Sequence, residues 1–310
     1  MSRLFSLLVS AVLLSGCGPE DVPASRMPRF EPLKAKPRVA LVLGSGGPRG
    51  FAHIGVIKVL EEAGVKPDLI IGCSVGAMVG ALYADGMTGA QLEQLANQIN
   101  VAEFFFEWRV LRGSPASGAA VQTYVNEKVD HRTIEQLKVP FVATATHLPD
   151  RKIAMFNHGD TGLAVRASGA SPGQFEAVKV GDQMYVDGDE SSPVPIRVAR
   201  ELGAQVVIAV DVSAYLEDTP EGVPEEWKVK DERRAKQIAS EAPAADLLLH
   251  PNIGYYAGHD ENYRRRVMQA AERYTREQLP KVKAAFAKAG FPLGDQKPST
   301  ARVPSGETSR

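Results

Sequence analysis

Five apolar residues in succession, Val39-Ala40-Leu41-Val42-Leu43, run straight into Gly44-Ser45-Gly46-Gly47-Pro48-Arg49-Gly50, and the pattern returns where Leu69-Ile70-Ile71 runs into Gly72-Cys73-Ser74-Val75-Gly76. An apolar run with no polar alternation is what a strand buried on both faces needs. Each turn feeds a helical pattern: Ile54, Ile57 and Leu60 after the first, then Val75, Met78, Val79 and Leu82 after the second. Strand, turn and helix alternating at this length predict an α/β fold of three αβα layers, with a mainly parallel central sheet covered on both sides. Further strands are expected at 140–146, 152–156, 177–180, 183–186, 205–210 and 246–249, with a tight hairpin turn at Gly181-Asp182. Thr88-Gly89-Ala90-Gln91 has capping-box spacing and opens a helix through Leu92, Leu95 and Ile99. The charged, proline-bearing stretch 214–242 reads as an excursion over the surface, either a lid or a plain insertion. Residues 262–288 read as a terminal helix interrupted at Pro280, and 291–310 as a disordered tail.

At 310 residues and 44% hydrophobic content the chain fills one substantial core, so a single enzyme-sized domain over residues 38–290 with flanking tails is expected. The formal net charge of −1 points to no polyanion partner, and no run of Lys and Arg interleaved with aromatics suggests nucleic acid. Residues 1–16 carry Arg3 and then an apolar stretch, Leu4 to Leu14, that is too short to span a bilayer, as in a cleaved signal peptide. Leu14-Ser15-Gly16-Cys17 resembles the bacterial lipobox, which implies cleavage before Cys17 and lipidation of its thiol. Gly18, where Asp would retain such a protein, implies sorting to the outer membrane, facing the periplasm. Prolines at 19, 23, 28, 32 and 37 make residues 17–37 an extended tether. With Cys17 acylated, Cys73 has no partner for an intramolecular disulfide and reads as a small buried hydrophobe.

A serine is a useful nucleophile only where its oxygen is exposed and N–H groups nearby hold the charge that forms on an attacked carbonyl. Ser74 meets the first condition, because a strand before it and a helix after it put it on a sharp turn at a helix N-terminus, where the dipole favours negative charge. A second Gly-x-Ser-x-Gly match, at Ser171, follows no β-rich run and cannot enter a helix cleanly through Pro172-Gly173. The glycine loop meets the second condition: the N–H groups of Gly46 and Gly47 can approach a substrate oxygen, with Arg49 bracing the loop or adding positive potential. A nucleotide cradle fits poorly, since Arg49 stands where the third glycine of Gly-x-Gly-x-x-Gly belongs and no Gly-Lys-Ser/Thr occurs. For the base, Met184-Tyr185-Val186-Asp187-Gly188 is a strand that delivers Asp187 to its C-terminal end, making a Ser-Asp dyad. Asp211, ending Val206–Val210, is the alternative and fits a turn or cap role better. A Ser74, Asp187, His250 or His259 triad in α/β-hydrolase order lacks the several strands that fold places before its nucleophile. His53, inside the first helix, reads as a packed residue.

Taken in order, Gly47-Pro48-Arg49-Gly50, Ala52-His53-Ile54-Gly55-Val56, the turn at Ser74 and the Asp187-Gly188 pair resemble the patatin-like phospholipase family from about Pro37 to Asp260. Arg166-Ala167-Ser168 and Pro172-Gly173-Gln174-Phe175 resemble the family's block ahead of the Asp strand. The resemblance implies a patatin-like αβα fold, a Ser74-Asp187 dyad, an oxyanion hole from Gly46, Gly47 and Arg49, no metal or other cofactor, and hydrolysis of acyl esters in membrane phospholipid or other lipid. Alternatives are a general esterase or thioesterase, and a non-catalytic lipoprotein that binds lipid or protein on the same scaffold. The chain departs from the family at Asp189, where Gly or Ala is usual, and at Ser192, where Asn is common. A second carboxylate beside the base is expected to raise the pKa of Asp187 if both are buried.

Overall fold

The computed structural model describes residues 22–104, 110, 113–291 and 293; the signal segment, Cys17 and nearly all of the expected tail lie outside these. Five parallel strands form the body of one sheet in the order β3 (Phe141–His147), β2 (Leu69–Cys73), β1 (Val39–Leu43), β7 (Val206–Val210) and, at its edge, β8 (Leu247–Leu249). Three antiparallel strands complete it: β4 (Ile153–Phe156) beside β3, and the hairpin of β5 (Val178–Val180) and β6 (Gln183–Asp187), whose second strand also joins β3.

Every residue of β1, β2 and β7 is buried, as their unbroken apolar runs require. Alternate side chains serve two cores. Leu41, Leu43, Ile70, Ile208 and Val210 join the layer built from α1 (Phe51–Glu62), α2 (Val75–Ala84), α3 (Gly89–Gln98), α4 (Ala119–Lys128), α5 (Thr161–Ser168) and α8 (Glu261–Lys288). Ala40, Val42, Leu69, Ile71 and Val207 face α6 (Ile196–Glu201) and α7 (Glu225–Glu241) through Val198, Ala199 and Ile238. The three-layer αβα arrangement is the one the sequence predicts. The capping box at Thr88 and Gln91 also forms. No helix among the described residues is long and apolar enough to cross a membrane.

Three expectations are revised. Pro280 does not interrupt α8, which runs continuously from Glu261 to Lys288. Val267, Met268 and Ala271 before it and Val282 and Phe286 after it are all buried, and packing of this face against α1 offsets a bond loss that costs about 3 kcal/mol. The stretch 214–242 is no loose excursion: its second half is the 17-residue helix α7, which buries Arg234, Ile238 and Glu241. The proline-bearing segment is docked over its described part rather than free. Arg29 pairs with His158, the Asn157 side chain bonds both the N–H and the C=O of Glu31, and Pro28 and Pro37 are buried. These contacts lie at the N-terminal end of the parallel strands, since β4 runs antiparallel to β3 and carries the chain down to His158.

Candidate active site

The site is built by a collision of strands. Thr144 of β3 pairs with Cys73 at the end of β2, and the next residue, Ala145, pairs with Asp187 at the end of β6. Since β4 occupies the opposite edge of β3, β2 and β6 share one edge and run head to head. Both chains must therefore leave the sheet at that point. Ser74 leaves with φ 55° and ψ −122°, a conformation that costs a non-glycine residue about 1–3 kcal/mol. Gly188 leaves where a Cβ would lie 2.6 Å from the Thr144 carbonyl oxygen and 2.8 Å from the Cys73 sulfur, so a side chain has no room. Across the gap Ser74 Oγ donates to Asp187 Oδ2 at 2.8 Å. The Ser74 side chain makes no cap bond to α2. Its backbone N–H donates to Ser168 Oγ at 2.8 Å, and Ser168 Oγ donates to the Thr144 carbonyl at 2.6 Å, so α5 fixes the turn.

The glycine loop is held from three sides. Gly44 N–H donates to Val210 O, Ser45 N–H donates to Pro193 O, and His53 donates from Nε2 to the Gly44 carbonyl at 2.8 Å. His53 is completely buried, which drives its pKa down to about 4 and keeps it a neutral donor. At Gly76 an added Cβ would lie 2.2 Å from the Leu43 carbonyl oxygen, so the start of α2 abuts the start of this loop. Among the described residues the N–H groups of Gly46 and Gly47 donate no hydrogen bond, which leaves them available to an anion. Arg49 braces the loop: it donates to the Tyr255 carbonyl and lies 6.0 Å from that ring's centroid, and burial lowers its pKa.

Asp187 and Asp189 are 4% and 5% exposed. Burial, reinforced by the neighbouring Asp189 charge, raises the Asp187 pKa to about 7, against the opposing bonds from Asp189 N–H and Ser74. Burial also opposes ionisation of Asp189, but Arg234 and the Ser45 hydroxyl outweigh it and hold that carboxyl below its usual range. The Cys73 thiol is buried and pushed well up, by burial first and by Asp187 second, so it stays protonated. Asp211 takes the turn role: it accepts Ser213 N–H at 2.8 Å and Ser213 Oγ–H at 2.7 Å. His250 stacks on Tyr215 and lies 3.6 Å from Asp211, and His259 is exposed, so neither histidine contacts the Asp187 carboxylate. Ser171 sits in the turn after α5 and bonds through its carbonyl to Gln174 and Phe175. Beside the nucleophile, Gly169 comes within 3.9 Å of Ser74 Oγ, measured from its would-be Cβ, and with Ser117, Val121, Arg166, Phe175 and Val178 it lines a small cleft.

The chain is thus an α/β protein in which an elbow serine, bonded to a buried aspartate, faces a glycine loop at the C-terminal end of a mainly parallel sheet. The family model for patatin-like phospholipase matches residues 41–200, and the chain belongs to that family. An uncharacterized NTE family protein of Mycobacterium tuberculosis is 34% identical over 226 residues, which is 69% of this chain and 61% of that one. Patatin-like phospholipase domain-containing protein 6 of Homo sapiens is 34% identical over 184 residues, 57% of this chain but 13% of its own length. The chain thus spans about three fifths of the mycobacterial relative and a small part of the human one. Among solved structures, VipD from Legionella pneumophila aligns with a TM-score of 0.45 at 12% identity, covering 83% of this chain and 70% of that one.

Proposed function

We propose that this protein is a membrane-attached serine lipid acyl hydrolase of phospholipase A or lysophospholipase type. The observation that carries the reading is the 2.8 Å bond from Ser74 to a carboxylate poised near pH 7. Asp187 takes the hydroxyl proton as Ser74 Oγ attacks the ester carbonyl carbon, and the Gly46 and Gly47 N–H groups hold the oxyanion. Collapse breaks the ester C–O bond, and Asp187 returns the proton to the departing alcohol oxygen. A water deprotonated by Asp187 then cleaves the acyl-Ser74 ester and frees the fatty acid. A lipidated Cys17 would hold the enzyme at the outer membrane, on the periplasmic side.

The test is fatty-acid release from long-chain phospholipid vesicles and from short soluble esters by the full chain and its variants. Ser74→Ala and Asp187→Asn are expected to lose at least ~1000-fold in turnover while staying folded, and Asp211→Asn to stay within a few fold. Turnover that survives Ser74→Ala rules the reading out. Activity on short esters alone makes the protein a general esterase instead. Attachment is read from the mass of the mature chain, expected to begin at Cys17 with acyl groups added, and unprocessed in Cys17→Ser.

A further inference from the structure

Helix α7 lies over the segment from Asp187 to Ser192 and grips it at four points. Arg233 pairs with Glu190 at 3.0 Å, Gln237 donates to the Glu190 carbonyl at 3.3 Å, Ser192 Oγ donates to Glu241 at 2.5 Å, and Arg234 reaches Asp189. Arg234 reaches deepest. Only 8% exposed, it donates both to the Asp189 carboxylate and to Ser45 Oγ at 3.0 Å, and Ser45 Oγ itself donates to that carboxylate. Ser45 belongs to the loop that presents Gly46 and Gly47, while the Asp189 N–H holds Asp187 Oδ1 at 2.9 Å. One guanidinium therefore bonds to both halves of the site. A buried ion pair is a weak source of net stability, but a guanidinium whose Nη1 bonds two loops at once ties their relative position.

We propose that Arg234 is a positioning residue: through Ser45 and Asp189 it holds the oxyanion loop and the base in one geometry, so that docking of α7 completes the site. The inference rests on the hydrolytic reading above. It deepens that reading by giving Asp189, the second buried carboxylate, its charged partner. The charges around Asp187 are Asp189 on its own segment and Arg234 on α7, with Arg233, Lys230 and Asp211 behind them and the Cys73 thiol on β2.

The experiment compares full-length wild type with Arg234→Gln, Arg234→Lys and Arg234→Gln/Asp189→Asn. It reads kcat, KM and pH profile on a soluble ester, per active site labelled by a fluorophosphonate, together with amide exchange at Gly44 and Ser45, whose N–H groups are bonded to Val210 and Pro193. Arg234→Gln is expected to lower kcat ~10- to 100-fold with KM within about twofold, to speed exchange at both residues, and to move the acid limb upward because Asp189 is left unopposed. Arg234→Lys should recover part of the loss. The double variant should move the limb below that of the wild type, since the larger of the two perturbing charges on Asp187 has gone. Wild-type kcat and an unmoved limb in Arg234→Gln, whatever its melting temperature, overturn the proposal. If the wild type neither labels nor turns over ester, the hydrolytic reading fails. In that event, faster exchange in Arg234→Gln still supports the coupling of the two loops, and unchanged exchange overturns it.

Discussion

Asp187 serves two ends that oppose each other. A carboxylate must be ionised to accept the Ser74 proton, yet it is buried beside a second carboxylate, and folding raises its pKa from 3.8 to about 7. For catalysis this sets an acid limb: kcat/KM should rise with pH through about 7 and level off above it. A limb near pH 4 would show that the base is another group or is solvated. For stability the sign is opposite. A carboxyl whose pKa is raised on folding favours the folded state below the unfolded-state pKa, and that contribution is lost as pH climbs to the folded-state value. Asp187→Asn removes this dependence, so its stability relative to wild type should grow between pH 5 and pH 8 by about 1–3 kcal/mol in urea melts. A gap that stays constant across that range would contradict the burial argument.

The strand ends and the glycine between them build the site. Gly188→Ala places a methyl against the Thr144 carbonyl and the Cys73 sulfur, and backbone cannot give way as a flexible side chain does. The variant should melt at least about 5 °C lower and label poorly with a fluorophosphonate. Unchanged melting and labelling would mean that β2 and β6 do not meet as tightly as their shared register on β3 requires. The apolar runs of β1, β2 and β7 were legible because buried strands leave an unbroken apolar signature, and the hairpin at Gly181-Asp182 because its turn takes a glycine at φ 60°. Ser74 and Asp187 were legible as turn-flanked strand ends. Their contact was not, since it depends on Thr144 and Ala145 of β3 seating two strands along one edge. Ser168 shows the same limit: a lone serine in a motif block becomes the acceptor of Ser74 N–H only once α5 is folded against β3. Arg234 was the least visible, because α7 is charged along its whole length and only Ile238, one turn further on, marks which side faces inward. Pro280 misled for a related reason: local propensity argued for a break, and burial on both sides prevailed.

The two ends of the parallel strands carry different parts of the molecule. Residues 22–37 dock at the N-terminal end of the parallel strands, while Ser74 and the glycine loop sit at the C-terminal end. With Cys17 lipidated as proposed, four residues separate the anchor from Val22, a reach of about 17 Å over five steps of the chain, on the side of the domain away from the site. The mouth would then face away from the anchoring membrane. Lipidated protein in vesicles should accordingly hydrolyse ester in added vesicles faster than in its own. A flexible Gly/Ser insertion of about 20 residues after Gly18 should raise own-membrane hydrolysis several-fold. Equal rates with and without the insertion would contradict this placement of anchor and mouth.

The account rests on an acyl group passing through Ser74, and the most direct measurement is rapid acid quench of the full chain during turnover of a chromogenic fatty acyl ester, followed by peptide mass mapping. An acyl mass is expected on the peptide that carries Ser74, and none in Ser74→Ala. An acyl group found on another residue, or steady hydrolysis without any adduct that Ser74→Ala abolishes, would contradict it.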